Sequence, residues 1–206
     1  MPKGSKELEN LRKEEIINAA KKLYQTKNFK DITLKDIAKL TTFTRTSIYN
    51  YFQTKEEIFL TLHKTEYEKW CQDLEEIINS HSTMNKEYIA KNIAKTLEKR
   101  ELLLKLMSMN HFDMESNSRI EILIEFKIAY GNSIKTIKKL IKKFCITMKE
   151  KEINDFIYTF FPFIFGIYPY TFVNNKQKEA MKKAKTGFIY HSIYELSYSC
   201  IKKLLD

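Results

Sequence analysis

Glycine and proline are scarce in this 206-residue chain, with four of the first and three of the second. A β-fold of this length needs many tight turns, which those two residues usually supply, so the shortage favours long helices. Cysteine is equally sparse: Cys71, Cys145 and Cys200 are odd in number and widely spaced, with no CxxC pair and no adjacent histidine. That pattern argues against a disulfide framework or a zinc site and for reduced thiols. His63, His81, His111 and His191 show no metal-ligand spacing, and the chain has neither a glycine-rich phosphate loop nor a nucleophile beside a recognisable base. Catalysis therefore has no support in the sequence, and no cofactor is called for. The opening MPKGSKELENLRKEE lacks the apolar core of a signal peptide, so a cytoplasmic location is expected.

Positive charge is what the chain has in plenty. The net charge is +10, and residues 1–56 hold twelve Lys/Arg against seven Asp/Glu, half of the excess in about a quarter of the length. An anionic partner would explain this, and so would a lysine-rich solvated surface. Hydrophobic residues at 43% and charged residues at 30% are a globular composition.

Residues 33–55, TLKDIAKLTTFTRTSIYNYFQTK, say most. Thr33 with Asp36 three residues on fits a helix N-cap, and Leu34, Ile37 and Ala38 then share one face. Thr41-Thr42-Phe43 are poor helix formers, and Thr44 can cap a second helix that turns Ile48 and Phe52 inward. Thr54 with Glu57 repeats the capping pattern for a further helix. The spacing predicts a helix–turn–helix, whose second helix suits the major groove of B-DNA. Arg45 could then bond guanine O6 and N7, Thr46 and Ser47 could touch base edges or a thymine methyl, and Tyr49 and Asn50 face outward toward phosphate or base. Lys35 on the preceding helix could reach the duplex. The hydroxyls or helix-end amides of Thr33 and Thr44 could bond phosphate, or serve only as caps. Lys3, Lys6, Arg12 and Lys13 could add phosphate contacts, diluted by Glu7, Glu9, Glu14 and Glu15.

The same residues resemble the N-terminal domain of the TetR family of bacterial transcriptional regulators. Ile17, Ala19, Ala20 and Leu23 match its first helix and Ile37-Ala38 its second. Thr44 to Phe52, ending Tyr49-x-Tyr51-Phe52, match its recognition helix, and Lys55-Glu56 the start of its fourth. The resemblance implies an all-α fold, with a three-helix helix-turn-helix DNA-binding domain in residues 1–56. A larger helical effector-binding and dimerisation domain would occupy 57–206. It makes Tyr49 and Lys55 backbone-phosphate ligands. The family usually has glycine where this chain has Thr42, and often a small residue where it has Thr46. A threonine at positive φ would be strained by about 1 kcal/mol or more.

Beyond residue 62 only general helical character continues, with helices expected near 85–98, 101–110 and 118–146. Lysines at 135, 138, 139, 142 and 143 alternate with Ile134, Ile137, Ile141 and Phe144, as either a solvated face over a core stripe or a second nucleic-acid patch. Residues 156–173, FIYTFFPFIFGIYPYTFV, are eighteen uncharged positions interrupted by Pro162, Gly166 and Pro169. They read as a kinked helix buried on all sides, and the resemblance places them, with 187–204, in a dimer seam. Read otherwise, they anchor a membrane-associated protein. The resemblance also implies an inducer pocket, for which Trp70, His111, Phe112, Phe126, Tyr130, Phe161 and Phe165 are candidates; a hydrophobic or aromatic ligand suits them. The expected function is a DNA-binding regulator, a homodimeric repressor released from a near-palindromic double-stranded operator by a small-molecule effector. A DNA-binding dimer without any inducer is the other soluble reading.

Overall fold

The computed structural model describes residues 6–109 and 111–206. The elements run α1 (Lys6–Thr26), a 3-10 turn (Phe29–Asp31), α2 (Leu34–Ala38), α3 (Arg45–Ile48), α4 (Lys55–Ser80), α5 (Lys86–Lys99), α6 (Glu101–Met107), α7 (His111–Ser116), α8 (Ile120–Phe144), α9 (Glu150–Thr171), α10 (Asn175–Lys183) and α11 (Ile193–Leu205). Among the described residues there is no strand, so the all-helical expectation holds. They pack as two compact units. One lies within Met1–Thr65 and Asn110–Ile128, and the other comprises Glu66–Met109 and Ala129–Asp206. The first unit thus takes in 111–128 as well as the N-terminal helices, a pairing of distant segments that the 1–56 boundary does not anticipate.

In the first unit, α1 buries Ile16, Ala19, Ala20 and Tyr24, one helical stripe, against a core of Ile32, Ile37, Ile48, Phe52 and Phe59. Phe59 receives Tyr24 and Phe29 edge-on, with ring centroids 5.2 and 4.8 Å away. Each such fully buried side chain contributes about 1.5–3 kcal/mol of transfer free energy. In the second unit, α11 packs on α5 and α9, and α6 packs on α9. Trp70 is fully buried there, and its Nε1–H donates to Thr96 Oγ1 at 2.9 Å, which satisfies the indole's one polar group. Asp73 accepts from Arg100 Nε at 2.5 Å and Lys99 Nζ at 2.7 Å.

The lysines of α8 settle as a solvated, paired face. Lys139 bonds Glu75, Lys142 and Lys138 bond Glu150, and Lys143 donates to the carbonyl of His81, while Ile137, Leu140 and Ile141 are buried. No second nucleic-acid patch is needed to explain them. α9 differs from the expectation of burial on every side. It turns Ile153, Phe156, Ile157, Phe160, Phe161, Ile164 and Ile167 inward. Tyr158, at 79% exposure, and Tyr170 face outward with Pro162 and Pro169. Among the described residues no single helix is long and apolar enough to cross a membrane; α9 and α10 reach that measure only together, across an 88° bend.

Candidate nucleic-acid interface

The α2–α3 pair is built from two threonine caps. Thr33 Oγ1 accepts the Asp36 N–H at 3.2 Å while Asp36 Oδ2 accepts the Thr33 N–H at 3.2 Å, the reciprocal capping box its spacing predicts. Thr44 Oγ1 accepts the Ser47 N–H at 3.2 Å and starts α3. α3 is shorter than the expected Thr44–Phe52 helix. Past Ile48 the chain tightens into turn hydrogen bonds, Asn50 N–H to Ser47 O at 3.2 Å and Tyr51 N–H to Ile48 O at 2.9 Å. That tightening carries Phe52 into the core beside Ile48, both essentially inaccessible.

The turn between α2 and α3 needs no glycine. Among the described residues only Lys185 and Gly187 have positive φ, so Thr42 escapes the strain a left-handed conformation would impose. Instead the Glu15 carboxylate on α1 accepts the Thr42 N–H at 2.6 Å and its hydroxyl at 3.2 Å. Thr41 Oγ1 donates to the Ala38 carbonyl at 3.0 Å and accepts the Phe43 N–H at 3.3 Å. Hydroxyls and one carboxylate do here what backbone freedom does elsewhere.

Thr44, Arg45, Thr46, Tyr49 and Asn50 are exposed together on this short element, with Ser47 half-buried. Thr33 and Lys35 are exposed at the head of α2. Arg45 Nη2 donates to Tyr49 Oη at 3.0 Å, and its guanidinium lies 5.8 Å from the Tyr49 ring centre. Arg12 donates to Tyr51 Oη at 3.0 Å, and Lys13 pairs with Glu9 at 2.8 Å. Lys3 lies outside the described residues.

Lys55, expected on phosphate, has partners within the protein. Its ammonium donates to the carbonyls of Phe29 at 3.0 Å and Ile32 at 3.1 Å and sits 4.3 Å from the Phe29 ring centre. It closes the end of the 3-10 turn, adding a charged donor to the Phe29 carbonyl, which also accepts the Ile32 N–H at 3.2 Å, and to the Ile32 carbonyl.

Sequence reasoning missed the other charged centre of this unit, since its partners are 62 residues apart. Glu57 is fully buried and accepts Arg119 Nε at 2.7 Å, Arg119 Nη2 at 2.8 Å and the Arg119 N–H at 3.0 Å. Burial pushes its carboxyl up, but the Arg119 and Gln53 hydrogen bonds outweigh that and hold it below the usual carboxylate range. His63 was also missed as a core group. It is fully buried, with its ring 5.0 Å from Phe126 and 5.5 Å from His111. Burial, then the charges of His111 and Lys127, drives it well below the usual imidazole value.

The seven pocket candidates are divided between the two units. His111 and Phe126 stack at 6.3 Å in the first unit, where His111 opens α7. In the second unit Phe161 meets Trp70 and Tyr130 edge-on at 6.2 and 5.7 Å, and Phe165 meets Tyr130 at 6.2 Å. These rings fill space against one another. Phe112 is 86% exposed. A depression of about 390 Å³ lies elsewhere, among Lys178, Met181, Lys182, Phe188 and Tyr190.

Residues 16–62 match the family model described as bacterial regulatory proteins, tetR family, and residues 64–190 match the tetracyclin repressor-like C-terminal domain. The chain belongs to the TetR family. An uncharacterized helix-turn-helix-type transcriptional regulator from Bacillus subtilis, YfiR, is 34% identical over 74 residues, so the match spans 36% of this chain and 36% of that relative. Two solved structures share the fold. The regulator FadR from Bacillus subtilis, in complex with stearoyl-CoA, is 16% identical over 94% of this chain and 97% of its own, with a TM-score of 0.62. A TetR-family regulator from Mesorhizobium loti is 13% identical over 96% of both chains, with a TM-score of 0.64.

Proposed function

We propose that this TetR-family chain is a cytoplasmic DNA-binding transcriptional repressor. It would act as a homodimer on a near-palindromic operator, with residues 1–56 reading DNA and 57–206 carrying dimerisation and effector binding. The observation that carries the reading is α3 itself: Ile48 is fully buried while Arg45, Thr46, Tyr49 and Asn50 are exposed around it. An anchored helix with an outward guanidinium and short hydroxyl side chains is chemistry suited to base edges. Thr33, Lys35, Thr44 and Ser47 would fix the register on phosphate, where caps have donors to offer. Lys55 has no part in that set while its ammonium serves the 3-10 turn.

The outward apolar groups of α9, Tyr158 and Tyr170, suit a seam with a second copy, whose two-fold axis would demand matching half-sites. The effector would be an apolar or aromatic molecule, and stearoyl-CoA, the ligand of the Bacillus subtilis FadR structure, is a first probe. An effector weakens operator binding only as far as it prefers the conformation that binds DNA poorly. The test is genome-wide recovery of bound DNA, followed by affinity measurements on the recovered sites with Arg45→Ala. Loss of preference for those sites with the dimer intact is the expected result. An Arg45→Ala protein that still discriminates them from random duplex would remove α3 as the reader.

A further inference from the structure

The turn that follows α3 is fastened to a segment far along the chain. Glu57 receives four N–H groups: from Gln53 at 2.8 Å, and from Arg119 through its backbone at 3.0 Å, its Nε at 2.7 Å and its Nη2 at 2.8 Å. The same Nη2 donates to the Tyr51 carbonyl at 3.1 Å, and the Thr54 hydroxyl donates to the Asn117 carbonyl at 2.9 Å. Residues 117–119, just before α8, thus grip Tyr51, Thr54 and Glu57. Those residues belong to the joint between the outward-facing residues and α4. A planar guanidinium satisfying a carboxylate bidentately and a carbonyl with one fork leaves little rotational freedom on either side.

We infer that Arg119, clasped to Glu57, is a positioning residue for DNA reading: it sets the attitude of the 51–54 joint and so the angle at which Arg45 and its neighbours are offered. The inference rests on the proposed DNA-reading role. Local bonds (Tyr51 N–H to Ile48 O at 2.9 Å, Phe52 N–H to Ile48 O at 3.0 Å), the buried Phe52 ring and Arg12 on Tyr51 Oη also hold the joint, but Arg119 is what joins the Tyr51 carbonyl to the Glu57 carboxylate. Without the fork, the Tyr51 carbonyl loses a donor and the buried Glu57 oxygens lose their charge partner, so this stretch would sample several attitudes. Random DNA, held by charge alone, tolerates such sampling, whereas a specific site does not.

The full-length chain, with Arg119→Gln, Arg119→Lys and Glu57→Gln, supplies the test. Affinities for a recovered operator fragment and for a random duplex would be measured together with amide hydrogen exchange. For Arg119→Gln the expected result is a drop of about tenfold in the operator-to-random affinity ratio. Faster exchange should be confined to amides near 49–56, with α5 and α11 still protected. Arg119→Lys should recover part of the ratio, since it keeps the charge but not the fork. An unchanged ratio in both Arg119→Gln and Glu57→Gln overturns the clasp. So does exchange that accelerates equally in α5 and α11, or an Arg119→Gln chain that does not fold while Glu57→Gln keeps the wild-type ratio. If the unaltered chain prefers no recovered fragment, the DNA-reading role itself fails, and the exchange pattern still reports whether the joint is held by Arg119.

Discussion

At Thr42 the backbone N–H and the hydroxyl both end on the Glu15 carboxylate. Restoring the glycine common in the family would remove the hydroxyl contact and add backbone freedom in the unfolded chain. Thr42→Gly should therefore lower stability by about 1 kcal/mol, read as a fall in Tm. Lys185 is the opposite case, because its φ of 50° is the conformation glycine tolerates best. Lys185→Gly should leave Tm unchanged or raise it, by up to about 1 kcal/mol in stability. A fall there would mean that the lysine side chain outweighs the strain. His63 gives a pH signature. Its folded value lies well below the ordinary imidazole value, so below about pH 6.5 the unfolded chain takes up a proton that the folded chain refuses. Stability contributed by the neutral ring is present above that pH and is lost as pH falls. The slope should reach up to about 1.4 kcal/mol per pH unit. Denaturant titrations at pH 7 and 5.5 should show that loss, and His63→Leu should remove much of it.

Among the elements, those with an apolar stripe were legible and those without were not, even where a cap exists, as at Asn174, whose Oδ1 accepts the Gln177 N–H at 2.9 Å. α1, α4, α5 and α8 announce themselves by periodicity, and the Thr33 and Thr44 caps were read directly from side-chain chemistry. α10 buries no residue, and α7 buries only Met114. A helix with little or no buried face leaves a weak periodic trace, so the sequence reading assigns no helix at either place. α3 was placed correctly at its start and too far at its end: Phe52 is inward as its spacing predicts, but the chain reaches it through turn hydrogen bonds past Ile48. So short a helix leans heavily on its cap. Thr44→Ala should cost about 1 kcal/mol and loosen the amides of 45–48, as hydrogen exchange would report, while α4 stays protected. Equal protection in the variant would mean that Ile48 alone holds the helix. The Glu57–Arg119 contact lay beyond sequence reasoning altogether. Arg119 carries no local signal and Glu57 only that of a cap partner for Thr54, and their meeting depends on how 111–128 packs in the first unit.

For the molecule as a whole, the outward side of α9 carries the assembly proposal. Tyr158→Glu places a charge where an apolar seam is proposed yet touches nothing in the protomer core. It should weaken self-association at least about tenfold in sedimentation equilibrium, with helicity unchanged. The pocket candidates show the limit of composition as a guide. Aromatic residues at helical spacing marked where the interior is, and only coordinates reveal that its rings are already in contact with each other. Lys55 has a consequence of its own for how this basic molecule meets a polyanion. Salt dependence of binding counts the cations that displace condensed counterions, not those in the formula, with a slope near −0.9 for each phosphate neutralised. A lysine committed to the Phe29 and Ile32 carbonyls adds to the formal +10 without entering that tally. Lys55→Met should thus lower Tm while leaving the slope of log affinity against log salt as it was.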